Sequence, residues 1–134
     1  MIITQDQVRE MILDAVPSFR PIWDRSEDQE LPYVVMGDLA RHLLSQYLSG
    51  CTEEFEPLCE VVERLHVSGD SYVREFATIG ILEAIQNVWS HTDTDPEEFA
   101  QFLRPVSKKW WKELNDFWAG RIPYVGAGLV DRAV

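Results

Sequence analysis

Two cysteines, Cys51 and Cys59, are all that this chain of 134 residues carries. If both lie on one helix, their eight-residue separation puts them about 12 Å apart along the axis. A disulfide needs Cα atoms within about 7 Å, so it is excluded on that helix. Two thiols also leave a four-ligand zinc site half empty. The expectation is small, buried side chains in a reducing compartment. Long apolar runs are missing too. None approaches the roughly 20 residues that span a bilayer. The opening MIITQDQVREMILD has neither the basic stretch nor the apolar stretch of a signal peptide. A cytoplasmic protein with no membrane partner is expected.

Positive charge is scarce. Acids outnumber bases 23 to 12, for a net charge of −11. The imbalance is uneven: residues 1–103 hold 20 acids against 6 bases, whereas residues 104–134 hold 3 against 6. Binding to nucleic acid needs a basic face that displaces counterions from phosphate. Lys108, Lys109 and Lys112 are the only cluster available, too small against this background, so no nucleic-acid partner is expected. An acidic surface suits a basic protein instead.

Chemical motifs are equally sparse. His42, His66 and His91 form no HxxxH pair, and neither Gly-x-Ser-x-Gly nor a P-loop occurs. The segment His91–Glu98 superficially resembles an acidic calcium loop. Glu98 stands where that loop needs glycine, however, and Arg104 where it needs its last ligand. Helix capping accounts for Asp95 and Glu98 without a metal. No catalytic, cofactor or metal-ligating residue is assigned.

What the sequence does have is helical periodicity. Apolar residues make up 46% of the chain, enough to fill one core, and a domain of this size buries roughly 68% of its unfolded surface. Thr4 and Gln7 have capping-box spacing, with Ile3 and Val8 placed as a hydrophobic staple. Val8, Met11, Ile12 and Ala15 then share one helical face, and Pro17 ends the helix. Residues 17–31 read as a loop, with Phe19, Ile22 and Trp23 tucked onto the body. A second helix spans about Pro32 to Ser49, closed by Gly50. A third follows Thr52, with Phe55, Leu58, Cys59, Val62 and Leu65 on its apolar face. A fourth, from about Asp70 to Ser90, is apolar nearly all round, which marks a central helix. Gly80 in its middle suggests close approach of another helix. A short fifth helix is capped by Asp95 with Pro96 at its first position. A sixth runs from Pro105 or Val106 to Ala119 and carries Trp110, Trp111 and Trp118. No stretch has hairpin character. The expected fold is all-α: an irregular bundle of five to six helices, the fourth central and buried. Residues 1–120 form a single domain and residues 121–134 an irregular tail.

Candidate contacts follow from charge and aromaticity. Asp24, Glu27, Asp28 and Glu30 are four acids within seven residues, and Asp93 and Glu97 flank a second acidic turn. Trp110, Leu114, Phe117 and Trp118 line one face of the sixth helix, and Trp111 lies about 100° from Trp110. Trp111 is therefore a candidate interface anchor, since aromatics are favoured at such positions. Glu75 and Glu83 on the central helix offer a carboxylate pair for acid–base work if a cleft holds them, although the solvent edge of a helix explains them equally.

The block Val73-Arg-Glu-Phe-Ala-Thr-Ile-Gly-Ile-Leu-Glu-Ala-Ile-Gln-Asn87 and the stretch Phe102-Leu-Arg-Pro-Val-Ser-Lys-Lys-Trp-Trp-Lys-Glu-Leu-Asn-Asp-Phe-Trp118 resemble a bacterial family of small, mostly uncharacterised helical proteins. The resemblance covers roughly residues 70–120. That family's pattern has Leu-Gly-Pro-x-Ser before Trp-x-x-Leu-Asn-x-Phe-Trp, and here Arg104 replaces the glycine. Some members are thought to be immunity proteins against secreted toxins, so the resemblance implies a binding role and carries over no catalytic residue. The expectation is a non-catalytic acidic binding protein, an immunity protein that occludes a basic toxin domain. The alternative is a homo-oligomeric or adaptor helical protein, and the third choice an enzyme using the carboxylate pair.

Overall fold

The computed structural model describes residues 2–126, and these are all-α. Helix α1 covers Gln5–Ala15, α2 Arg20–Arg25, α3 Pro32–Leu48 and α4 Phe55–Ser68. One continuous helix over residues 71–90 follows. It comprises α5 (Ser71–Glu75), a π-helical stretch (Phe76–Leu82) and α6 (Glu83–Ser90). Helix α7 is Glu97–Ala100 and α8 is Pro105–Trp118. Among the described residues no helix is long and apolar enough to cross a membrane.

The 71–90 helix is the axis of the bundle, as its all-round apolar character predicts. It packs against α1, α3, α4 and α8, and Val73, Phe76, Ala77, Ile81, Leu82, Ile85 and Trp89 are buried along it. Asp70 caps its start by accepting the Val73 N–H at 2.9 Å. The π winding departs from the α-helix that the periodicity predicts, and Gly80 lies within it. A Cβ there would stand 2.8 Å from the ring of Phe76 in the same helix. The side chain nearest the space that glycine leaves thus belongs to its own helix.

Other starts and stops follow local chemistry. Gln7 Oε1 accepts the Thr4 N–H at 2.9 Å, the expected half of a capping box. Gly50 and Gly120 close α3 and α8 with φ of +73° and +74°, the left-handed turn that glycine permits without penalty. Ile3 ties the N-terminal segment to the α4–α5 junction: its N–H donates to Ser68 O at 2.8 Å, and its carbonyl accepts from Asp70 N at 3.0 Å.

Two expectations need correction here, over residues 17–31 and at Cys51. Residues 17–31 are not one loop, because Pro17–Phe19 forms a 3-10 turn and α2 follows directly. Pro17 and Pro21 sit in first turns, where a missing N–H costs nothing. Phe19 and Trp23 are buried as expected, whereas Ile22 is 38% exposed. Cys51 lies outside α4 and is exposed, and only Cys59 is buried. The tail expected over 121–134 is described only to residue 126. Within that part Val125 packs against the core and Gly126 approaches the Trp110 ring; the remainder lies outside the described residues.

The core is aromatic-rich, and the indole N–H groups of Trp23 and Trp89 are both bonded. Trp89 is fully buried and donates its indole N–H to the Ala40 carbonyl at 2.9 Å, joining α6 to α3. Trp23 donates to the Gln29 carbonyl at 3.1 Å. A buried indole with its N–H bonded gives its whole apolar area to the core without a stranded donor.

Candidate functional site

Three polar constellations stand out, and two bring together residues that look isolated in the sequence. In the first, α4, α8 and the π stretch meet around His66. Its Nδ1 lies 2.9 Å from Ser107 Oγ and its Nε2 lies 2.8 Å from Thr78 Oγ1. Glu63 accepts the Ser107 and Val106 N–H groups at 2.9 and 3.0 Å and the Ser107 hydroxyl at 2.9 Å. A carboxylate at the first turn of α8 also suits the positive end of that helix. The carboxylate only accepts, so the Ser107 proton points to it. His66 Nδ1–H must then donate to Ser107, and Thr78 donates to Nε2. The imidazole is neutral in this chain. Burial drives its pKa from 6.5 to about 4, against the pull of Glu63. Burial alone would raise the Glu63 pKa, but the three bonds from Ser107 and Val106 hold it below the ordinary carboxylate value.

The second constellation joins the 3-10 turn, α3 and the entry to α4. Ser18 Oγ lies 2.8 Å from His42 Nε2 and donates to Glu54 Oε1. Gln46 donates to both, at 3.1 Å to Ser18 Oγ and 2.6 Å to Glu54 Oε1. Glu54 also accepts the Ser18 N–H at 3.2 Å. Serine, histidine and a carboxylate are all present, as in a hydrolase triad. Their order differs, because in a triad the imidazole sits between serine and acid and takes the serine proton. Here the serine sits between the other two. Its proton goes to the acid, and its lone pairs receive His42 and Gln46. Ser107 is bonded in the same sense and has no solvent exposure. Both sets tie helices together and commit the serine proton to the carboxylate, not to the imidazole that would have to remove it for attack.

The third constellation is a groove of about 630 Å³ at the far end of the central helix. Gln86, Asn87 and Ser90 of α6, then His91, Asp95, Pro96 and Glu97, then Asn115 and Trp118 of α8 line it. No lysine or arginine is among them. Gln86 is 6% exposed. Its Nε2 donates to the Trp111 carbonyl at 3.2 Å and to Asn115 Oδ1 at 3.1 Å. A backbone carbonyl can only accept, which fixes the amide's orientation. Gln86 Oε1 is then left without a hydrogen-bond partner. Glu97 Oε2 accepts the Trp111 indole N–H at 2.5 Å, and Asp95 accepts the Glu97 N–H at 2.9 Å. His91 Nδ1 lies 2.6 Å from the Asn87 carbonyl, which can only accept, so Nδ1 carries a proton there.

The sequence-derived candidates divide between two places. Asp24, Glu27, Asp28 and Glu30 are all exposed on and after α2. Asp24 is engaged by Arg9 at 2.8 Å, and Glu30 shares a recess with Asp6 and Asp70 at the start of the central helix. Glu97 lines the groove at the other end, with Asp93 exposed in the same turn. The 20 residues of the 71–90 helix hold these ends roughly 25–30 Å apart, so the two acidic clusters are separate patches. Trp111 is a correction. It is only 3% exposed and packs in the core, whereas Trp118 is 62% exposed. The core stripe of α8 is Ser107, Trp111 and Leu114, and a small polar residue at its head hides that register from an apolar count. Glu75 lines a recess with Arg74, Thr78 and Trp110, a lining that does not include Glu83. Burial raises the Glu83 pKa. Eight residues of helix set the two positions about 10–12 Å apart along the axis, and the recess that holds Glu75 is not lined by Glu83.

Residues 9–119 match a domain of unknown function, DUF7674, and the chain belongs to that family. No curated protein and no solved structure matches it.

Proposed function

We propose that this DUF7674 protein is a non-catalytic binding protein for a basic protein partner, and that it works by occlusion as an immunity protein does on a basic toxin domain. The observation that carries the proposal is the groove at the end of the 71–90 helix. It combines acidic residues, side-chain amides, an imidazole and the exposed ring of Trp118, with no lysine or arginine among its lining residues. The net charge of −11 adds long-range attraction for a basic surface. The bonding of Ser18 and Ser107 supports a structural use of the serine–histidine–carboxylate sets. An exposed free thiol at Cys51 fits a reducing cytoplasm.

The test is a pull-down with this chain as bait, followed by kinetics on the purified pair. A single basic, toxin-like prey at one-to-one ratio is expected. Its association should slow as salt rises, since screening shortens the reach of charge. Salt-independent association would remove the electrostatic basis of the proposal. A second reading, a homo-oligomer or adaptor, is favoured by one observation. Leu31, Tyr33 and Val34 at the start of α3 are 54%, 39% and 49% exposed. Light scattering separates the readings, because a stable dimer at micromolar concentration favours the second.

A further inference from the structure

We infer that the groove at the end of the central helix is a seat for an arginine side chain of the partner; this rests on the binding role proposed above. Gln86 Oε1 is a buried acceptor whose amide has already spent both protons on α8. Gln46 Oε1 is in the same condition elsewhere in the fold, but of the two only Gln86 lines a groove with room for a donor. Both bonds that Glu97 accepts fall on Oε2, and Asp95 lines the same groove. These groups accept hydrogen bonds and carry negative charge. An acidic anchor would be repelled by them, and an aliphatic one would leave Gln86 Oε1 unmet. A guanidinium brings five N–H donors in a rigid plane and can meet several acceptors at once. That plane also stacks on an indole face, which Trp118 offers at the rim. Lysine has the charge but neither the fork nor the plane.

The test uses Nα-acetyl-arginine amide as the probe on the intact chain. The Gln86 side-chain amide and the Trp118 indole N–H are followed by NMR. Saturable shifts at those two signals in the millimolar range are expected, as for a ligand of this size. Nα-acetyl-citrulline amide, the same shape without the charge, should bind about tenfold more weakly. Trp118→Ala, at an exposed position, should weaken the arginine probe several-fold without unfolding the chain. Gln86→Met should do the same by removing the acceptor. No shift up to about 20 mM probe, a level for which ligand efficiency predicts saturation, would overturn the assignment. So would equal binding of citrulline, or shifts confined to residues outside the groove. Capture of a basic protein that Trp118→Ala leaves unweakened overturns the arginine seat and leaves the binding role standing. Binding of the probe with no protein captured supports the guanidinium site and overturns the binding role.

Discussion

Lowering the pH from 8 to 5 should cost this protein about 2 kcal/mol through His66 alone. The imidazole is 6% exposed and spends Nδ1–H on Ser107 while accepting from Thr78. Burial holds its folded pKa at about 4, against an ordinary value of 6.5. The unfolded chain therefore binds the proton first as pH falls. Stability from the neutral imidazole is complete above pH 6.5 and drains away between 6.5 and 4. At pH 5 the unfolded histidine is almost fully protonated and the folded one is not, which gives the figure of about 2 kcal/mol. For a chain of this length that is a fall in Tm of roughly 7 °C. Burial also lowers the His42 pKa and raises that of Glu83, so wild-type melting alone does not isolate the effect. The informative quantity is the difference between wild type and His66→Gln, measured by urea unfolding at half-unit steps from pH 8 to 5. It should shrink by about 2 kcal/mol over that range. Glu63 and Glu54, both held below the carboxylate value, contribute only as pH falls below about 4.5 and stay out of the window. A difference constant within about 0.5 kcal/mol would refute the neutral, buried imidazole.

Other consequences can be checked on the same protein. Glu63→Ala strips the acceptor from three donors at the start of α8 and should cost about 1–2 kcal/mol in urea unfolding, with Glu63→Gln losing less. Gly80→Ala gains roughly 1 kcal/mol in helix propensity, but its methyl meets the buried Phe76 ring at 2.8 Å. A net loss of about 1 kcal/mol is expected from overpacking, and a higher Tm would show that the ring yields freely. A thiol reagent such as DTNB should titrate the exposed Cys51 promptly in the native protein. Cys59, buried with its pKa pushed up to about 12, should react only after unfolding, so two fast thiols would contradict the packing of α4.

The fold was legible where the signal is local. Thr4, Asp70, Gly50 and Gly120 announce helix ends by backbone chemistry that needs no neighbour. The nearly uniform apolarity of residues 73–89 announces the axis of the bundle. Errors arose where a residue has two local meanings. Pro17 and Pro21 break a helix from inside and start one from its first turn, and here they start short ones. Gly80 suggests a close neighbouring helix through its cost to an α-helix, whereas the side chain nearest the space it leaves is the Phe76 ring of its own helix. Ser107 is polar and was left out of the apolar count, although it opens the buried stripe of α8. Without Ser107 the apolar face of α8 lies about 100° from the buried one, which puts Trp118 inside and Trp111 outside, the reverse of their exposures.

The candidate site was less legible because its parts are distant in sequence and become a site only by what the fold leaves over. Gln86 is 25 and 29 residues from its two partners on α8, and nothing in its neighbourhood sets it apart from any polar residue on a helix. Its importance comes from two facts together: both amide protons are bound and the oxygen is not, and the residue lines a groove, which Gln46 in the same bonding state does not. The acids, by contrast, were easy to find and hard to rank, since charge says where attraction exists and not where a side chain can be received. Packing does the ranking. Arg9 holds Asp24, and Glu30 sits with Asp70 at one end of the axis. Glu97 is fixed by the Trp111 indole at the other, beside an acceptor that has no donor. An acid already positioned by its own scaffold loses little freedom when a partner arrives. The end of the molecule carrying Glu97, Gln86 and Trp118 is therefore where mutations should be read first.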